Sequence, residues 1–226
     1  VGFLKEGNAK VQQHFGSVFI LALESASNKT KNALTDEKSL AVTLISLLDH
    51  SSPVVRGKAI VGIVQLSKLQ MHWFVQVCNA KFIGITERLG RSKDPYVLHC
   101  ISFLQASMPM IVERLVTQIS EGVEKLCGRR SSAQRNRSYQ NSSLSSLCHE
   151  THLACKALLG IVTSSPFRTA CAGGSTLQKI GELVLKLQKG PAGLIAEIKD
   201  AVFNILEAIS QHGDLLLLNP CLLYTS

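Results

Sequence analysis

Apolar side chains recur along this chain at helical spacing. Val11, Phe15, Val18, Phe19, Ala22 and Leu23 follow the i, i+3, i+4, i+7 pattern that gathers them on one helix face, and Leu40, Leu44, Ile45, Leu47 and Leu48 repeat it after a polar link at Asn28–Thr35. Each such face needs another helix to cover it. No stretch alternates cleanly with period two, so no strand is expected. Five of the six prolines stand where a helix can begin: Pro53 after Ser52, Pro95 after Asp94, Pro109 two residues after Ser107, Pro166 after Ser165 and Pro191 after Gly190. The first helical turn tolerates proline because the N–H it lacks would have no intrahelical acceptor there. The pattern predicts helices near 9–26, 37–49, 53–68, 70–89, 95–106, 109–127, 146–163, 175–188 and 191–212. Phe167–Gly174 is open between a short helical turn and a loop.

One phrase carries more than periodicity. LISLLDHSSPVVRGKAIVGIVQL, Leu44 to Leu66, reads as an apolar helix, a turn at Asp49–Ser52, a proline start at Pro53, and a second apolar helix through Val55, Ala59, Ile60, Ile63 and Val64. From Ile83, IGITERLGRSKDPYVLHCISFL repeats this order, and Pro53 and Val55 map on Pro95 and Val97 at one offset of 42 residues. That period falls in the range of two- and three-helix repeats. Leu177–Ile209 reads as a degenerate further pair. The wording resembles armadillo and HEAT repeats. The resemblance implies that Asp49 and Arg56 belong to a charge ladder between successive repeats and that Ala59 sits at a tight helix crossing; in the second copy Leu98 stands where the arginine belongs. A single repeat cannot bury its apolar face alone, so the class expected is all-α: a right-handed α-solenoid of armadillo/HEAT-like helix pairs, about four to five of them. The competing fold is an irregular helical bundle.

Composition agrees with stacked helices. Of 226 residues, 46% are apolar and only 5% aromatic, which disfavours sandwiches and barrels, where aromatic and β-branched side chains fill pleated surfaces. No uninterrupted apolar run approaches the roughly 18 residues of a membrane span, so a soluble globular chain without membrane insertion is expected. Val1–Gly7 has no leader character, and the chain reads as an internal fragment. The net charge of +8 is uneven: residues 128–146, GRRSSAQRNRSYQNSSLSS, hold Arg129, Arg130, Arg135 and Arg137 without an acid, half of the total. These readings divide the chain into repeats over 1–127, a long basic Ser-rich loop, disordered, over 128–146, continuing repeats over 147–219, and a non-native adapter-derived tail over 220–226.

Candidate chemistry is sparse. Seven cysteines without C-x-x-C spacing lie mostly among apolar residues, as core thiols in a reducing compartment do. Cys148, His152 and Cys155 fall on one helical face with His149 beside them, but a structural zinc site wants a fourth ligand, and a buried stripe explains the same spacing; no metal and no cofactor is expected. No glycine-rich phosphate loop, nucleophile elbow or kinase signature occurs, and His212-Gly213-Asp214 reads as a helix end, so catalysis is not expected of this chain. Gly57, Gly62, Gly84, Gly160 and Gly181 read as close-contact points within helices, and Trp73 as a core anchor. Arg129 and Arg130 before Ser131 and Ser132 form the pattern a basophilic kinase reads, and phosphate there would offset the local charge. The same arginines could contact acidic protein tails or nucleic acid, or be a solvated loop; with Tyr139 the segment's one aromatic residue, a stacking platform for single strands is missing, and nucleic acid is the less favoured partner.

Residues 44–105 resemble the helical-repeat tails of the Fused and Unc-51-like serine/threonine kinases. The resemblance implies a non-catalytic scaffold segment from a longer kinase or pseudokinase, cytoplasmic and associated with cytoskeleton or cilium. Its groove would bind a protein partner, microtubule-associated proteins among the candidates. The alternative is a basic-faced module for nucleic acid or nuclear-transport cargo.

Overall fold

A computed structural model describes residues 38–128, 137–171, 174–188 and 195–211. Among the described residues the regular elements are helical: α1 (Lys38–Leu47), α2 (Pro53–Leu69), α3 (Met71–Val77), α4 (Ala80–Leu89), α5 (Pro95–Gly128), α6 (Arg137–Thr163), a 3₁₀ turn (Arg168–Cys171), α7 (Gly174–Gln188) and α8 (Ala196–Gln211). The helix expected near 9–26 and Pro191 lie outside the described residues. The chain forms two compact units, one through Ile111 and one from Val112. That division falls inside α5, not at the Arg/Ser segment where a loop was expected.

In the first unit the 42-residue offset is a structural repeat. α1 and α4 are both ten residues long, and their ends (38 and 80, 47 and 89) as well as the proline starts of α2 and α5 (53 and 95) are displaced by 42. α2 and α5 advance in the same direction, since Lys58 lies 5.2 Å from the Tyr96 ring centroid and Lys68, further along, 5.0 Å from that of Phe103. They cross closely at Gly57, where a Cβ would stand 3.2 Å from Cys100 Cβ and Sγ. Ala59, Ile60, Val64, Leu66, Phe74, Phe82, Val97 and Leu104 are buried, with the Phe74 and Phe82 rings edge to face at 6.0 Å.

Three expectations are corrected. The helix predicted over 70–89 is two, because Asn79 turns extended and its Oδ1 accepts the Phe82 N–H at 3.1 Å, capping a new helix. The helices predicted over 95–106 and 109–127 are one, with Pro109 in its interior. An interior proline costs about 3 kcal/mol, but breaking there would interrupt the buried stripe of Leu104, Met108, Ile111, Val112 and Leu115, each side chain contributing roughly 1.5–3 kcal/mol. Third, α6 begins at Arg137, so residues 137–146 of the expected loop are helical. Their serines cost only a few tenths of a kcal/mol each, up to about 0.7, relative to alanine, and they lead into the buried series Thr151, Ala154, Cys155, Leu158 and Ile161. Pro166 lies within a turn at residues 165–167 that leads into the 3₁₀ segment, and does not open an α-helix.

The second unit has the same logic. Glu113 faces Lys179 at 3.9 Å and Glu124 pairs with Lys186, so α5 and α7 also advance together. α8 packs most extensively on α6, and Gly122 of α5 meets Thr151 of α6 so closely that a Cβ would lie 2.9 Å from Thr151 Cγ2. Helices two apart in sequence thus lie side by side, as stacked hairpins require. α5 is long enough to cross a membrane, and its best 18-residue window has mean hydropathy 1.3. The stripe through Ile111, Leu115, Ile119, Val123 and Leu126 is nevertheless buried in protein, while the exposed positions include Glu113, Thr117, Glu121, Glu124 and Lys125. This is the one-sided pattern of an amphipathic helix packed on its neighbours, with 39% of the apolar window itself buried.

Candidate interaction surface

The residues singled out by the repeat pattern form its frame. Pro53 opens α2 and Pro95 opens α5; Val55, Ala59 and Val97 are buried. The capping differs between the copies: the Ser52 side chain makes no cap bond and its N–H donates to His50 Nδ1, whereas Asp94 Oδ1 accepts from Tyr96 N at 2.8 Å. The ladder has another partner than expected. Asp49 Oδ1 lies 2.7 Å from Lys81 Nζ, at the start of α4, and Arg56 is half-buried with no hydrogen-bond partner for its Nε among the described residues. Lys81 therefore occupies the carboxylate, joining the first hairpin to the next. Both groups are exposed, and such a pair contributes at most about 1 kcal/mol.

Arg129, Arg130, Ser131, Ser132 and Arg135 lie outside the described residues, as do His212-Gly213-Asp214 and the 220–226 tail; Arg137 is the first residue of α6. The Cys/His cluster is dispersed by its neighbours. His152 Nδ1 meets Glu197 Oε2 of α8 at 2.9 Å, Cys155 is fully buried with its thiol pushed up to about 12, and burial, followed by the Glu197 charge, raises Cys148. Among the described residues no three His, Cys, Asp or Glu side chains are grouped to hold a metal. Burial also pushes Cys78 and Cys171 up to about 12 and Cys100 to about 11, which keeps these thiols protonated and unreactive. Trp73 is buried and edge-on to His72 at 4.9 Å, a packing position.

An open groove lies between α7 and α8. It encloses about 500 Å³ and is lined by Leu177, Gly181, Phe203, Leu206, Glu207, Ile209 and Ser210. Gly181 lines it, and a Cβ there would meet no atom within 4 Å. Gly181 and Gly84 are therefore open positions and not the close-contact points their helical setting implied. Phe203 is 44% exposed, and Leu185, one turn beyond Gly181, is 61% exposed. The slot is apolar with a polar edge, where Gln211 Nε2 donates to Glu207 Oε1 and Ser210 Oγ donates to the Glu207 carbonyl. It can receive apolar side chains from another polypeptide, and it holds no nucleophile with a base beside it. The sequence signal was the run Leu177, Gly181, Leu185 at i, i+4, i+8, continuing an apolar face past the part its neighbours cover.

Helix pairs repeating at a fixed offset, with corresponding helices running together, define a helical-repeat protein. Residues 115–226 match the family described as serine/threonine-protein kinase ULK4-like, HEAT repeats. A curated relative, the serine/threonine-protein kinase RUNKEL of Arabidopsis thaliana, is 31% identical over 99 residues, 43% of this chain. The match spans 7% of that protein's length. Among solved structures, the crystal structure of an engineered protein aligns with 93% of this chain and 94% of its own, at 16% identity and a TM-score of 0.41.

Proposed function

We propose that this chain is a non-catalytic interaction scaffold, the repeat segment of a longer kinase-like polypeptide, and that the α7–α8 groove takes part in docking a protein partner. The observation that supports it is the unfilled apolar slot over Gly181, flanked by the exposed Phe203 and Leu185. Exposed large apolar groups around a concavity are what a partner's side chains need to be desolvated. The parent is read as a kinase or pseudokinase whose catalytic residues lie outside these 226 residues. Microtubule or other cytoskeletal association, with a cytoplasmic or ciliary location, is the setting proposed for it.

Gly181→Trp tests this reading, because a Cβ at this lining position meets no protein atom within 4 Å and a large side chain built from it would compete with a partner for the groove. The parent carrying G181W, expressed at the wild-type level, should lose at least one directly bound protein that the wild type retains. An unchanged set of direct partners would remove the groove from the function. Cosedimentation of the parent with microtubules, with and without residues 38–211, tests the cytoskeletal setting; equal sedimentation would count against a role for the repeats.

A further inference from the structure

We infer that the turn joining α4 to α5 is a second, separate docking surface, one that takes an acidic protein segment carrying an interspersed apolar residue. Arg88, Arg91 and Lys93 are all exposed within six residues of chain, and none has an ion-pair partner among the described residues. Tyr96 and Leu98 follow at once, 41% and 37% exposed. Two acids lie nearby. Asp94 faces the start of α5, its Oδ1 accepting from Tyr96 N at 2.8 Å and Val97 N at 3.4 Å, and Glu87 is half-buried. The three cations are thus exposed and make no ion pair among the described residues, although these two acids lie beside them.

The surface is also fixed in place. Gly90 N–H donates to the Thr86 carbonyl at 2.9 Å, Arg91 N–H to that of Arg88 at 3.2 Å, Ser92 N–H to that of Leu89 at 3.0 Å, and Asp94 N–H to Ser92 Oγ at 3.1 Å. The mostly buried Lys58 lies 5.2 Å from the Tyr96 ring centroid and steadies the ring. A backbone already ordered loses little entropy when a partner docks.

The charge of the described residues is concentrated in the same unit. Residues 38–111 contain eight Lys and Arg against three Asp and Glu, a net +5, whereas the described residues from 112 onward contain eight of each, a net of zero. Such a field steers acidic partners to the first unit. Carboxylates fit better than a nucleic acid backbone. Three cations neutralise at most about three phosphates, while binders with strong salt dependence use roughly six to ten, and the exposed Leu98 asks for an apolar side chain between the partner's charges.

The test uses the 226-residue chain and a fluorescein-labelled peptide of glutamates interrupted by single leucines, followed by anisotropy, with a single-stranded oligonucleotide of equal charge as competitor. The peptide should bind, and Arg88→Glu, Arg91→Glu and Lys93→Glu together should weaken it by about tenfold or more at moderate salt, with helical circular dichroism retained. The triple glutamine variant, milder to the fold, should lose about threefold, and Leu98→Ser should weaken the leucine-containing peptide but not pure polyglutamate. Gly181→Trp should leave this binding unchanged, which separates the turn from the α7–α8 groove. No peptide binding by the wild type, charge variants within twofold of it, or preferential binding of the oligonucleotide would each overturn the inference.

Discussion

Gly122 and Gly181 look alike in the sequence, each a lone glycine in an apolar helix, and the fold gives them opposite meanings. At Gly122 a methyl group would overlap Thr151 Oγ1, whose hydroxyl is held by the Leu147 carbonyl at 2.7 Å. Thr151 is β-branched and cannot swing aside cheaply. Gly122→Ala should therefore destabilise the chain by about 1–3 kcal/mol, whereas Gly181→Ala should stabilise it by roughly 0.5–1 kcal/mol through helix propensity; urea denaturation of both variants checks the pair. The thiols divide in the same way. Cys127 and Cys148 are half-exposed, the Cys148 thiol raised by partial burial and then the Glu197 charge, while Cys78, Cys100, Cys155 and Cys171 are buried with raised pKa. Iodoacetamide at about pH 8 should modify the first two in the native chain and the other four only on unfolding; peptide mapping that finds Cys155 labelled as fast as Cys148 would contradict the packing of α6. None of this could be read from spacing, because it depends on which helix lies across each residue.

At the scale of elements, legibility followed the strength of the local signal. Pro53 and Pro95 marked the starts of α2 and α5 because each stands at a turn after an apolar helix. Pro109 carried the same mark and misled, since the apolar stripe continues through it and burial outweighs the missing N–H. The serines of α6 misled in the other direction, polar composition standing for a loop where tertiary packing holds a helix. Asn79, the cap missed within LQMHWFVQVCNAKFIG, has an unambiguous test: Asn79→Ala should cost about 1 kcal/mol, with Asn79→Asp retaining most of the stability. The Glu124–Lys186 contact between α5 and α7 has a pH signature. Its hydrogen bond to Lys186, followed by the lysine charge, holds the Glu124 carboxyl below its usual value. The folded state thus binds that proton less readily than the unfolded chain. The contribution is fully present above the ordinary carboxylate range and fades as pH falls through the lowered value. Glu124→Gln should accordingly lower stability at neutral pH and lose less on acidification than the wild type, as denaturant midpoints at about pH 7 and about pH 3 would show.

For the molecule as a whole, the repeat was legible and the surfaces were not. The 42-residue offset survives as two equal hairpin starts, and the family match over residues 115–226 extends the same class into the second unit. The basic character read from the Arg/Ser segment is joined by a +5 excess in residues 38–111 that appears only once the unit boundary is known. The α7–α8 groove was legible only as an apolar face through Leu177, Gly181 and Leu185, because an apolar position with no neighbour has the same sequence as one that is covered. Hydrogen exchange of the 226-residue chain with a protein captured by the wild type but not by Gly181→Trp tests the scaffold reading most directly. Binding should slow exchange in residues 177–185 and 203–210, the walls of the groove; protection confined to other helices, with these two segments unchanged, would contradict it.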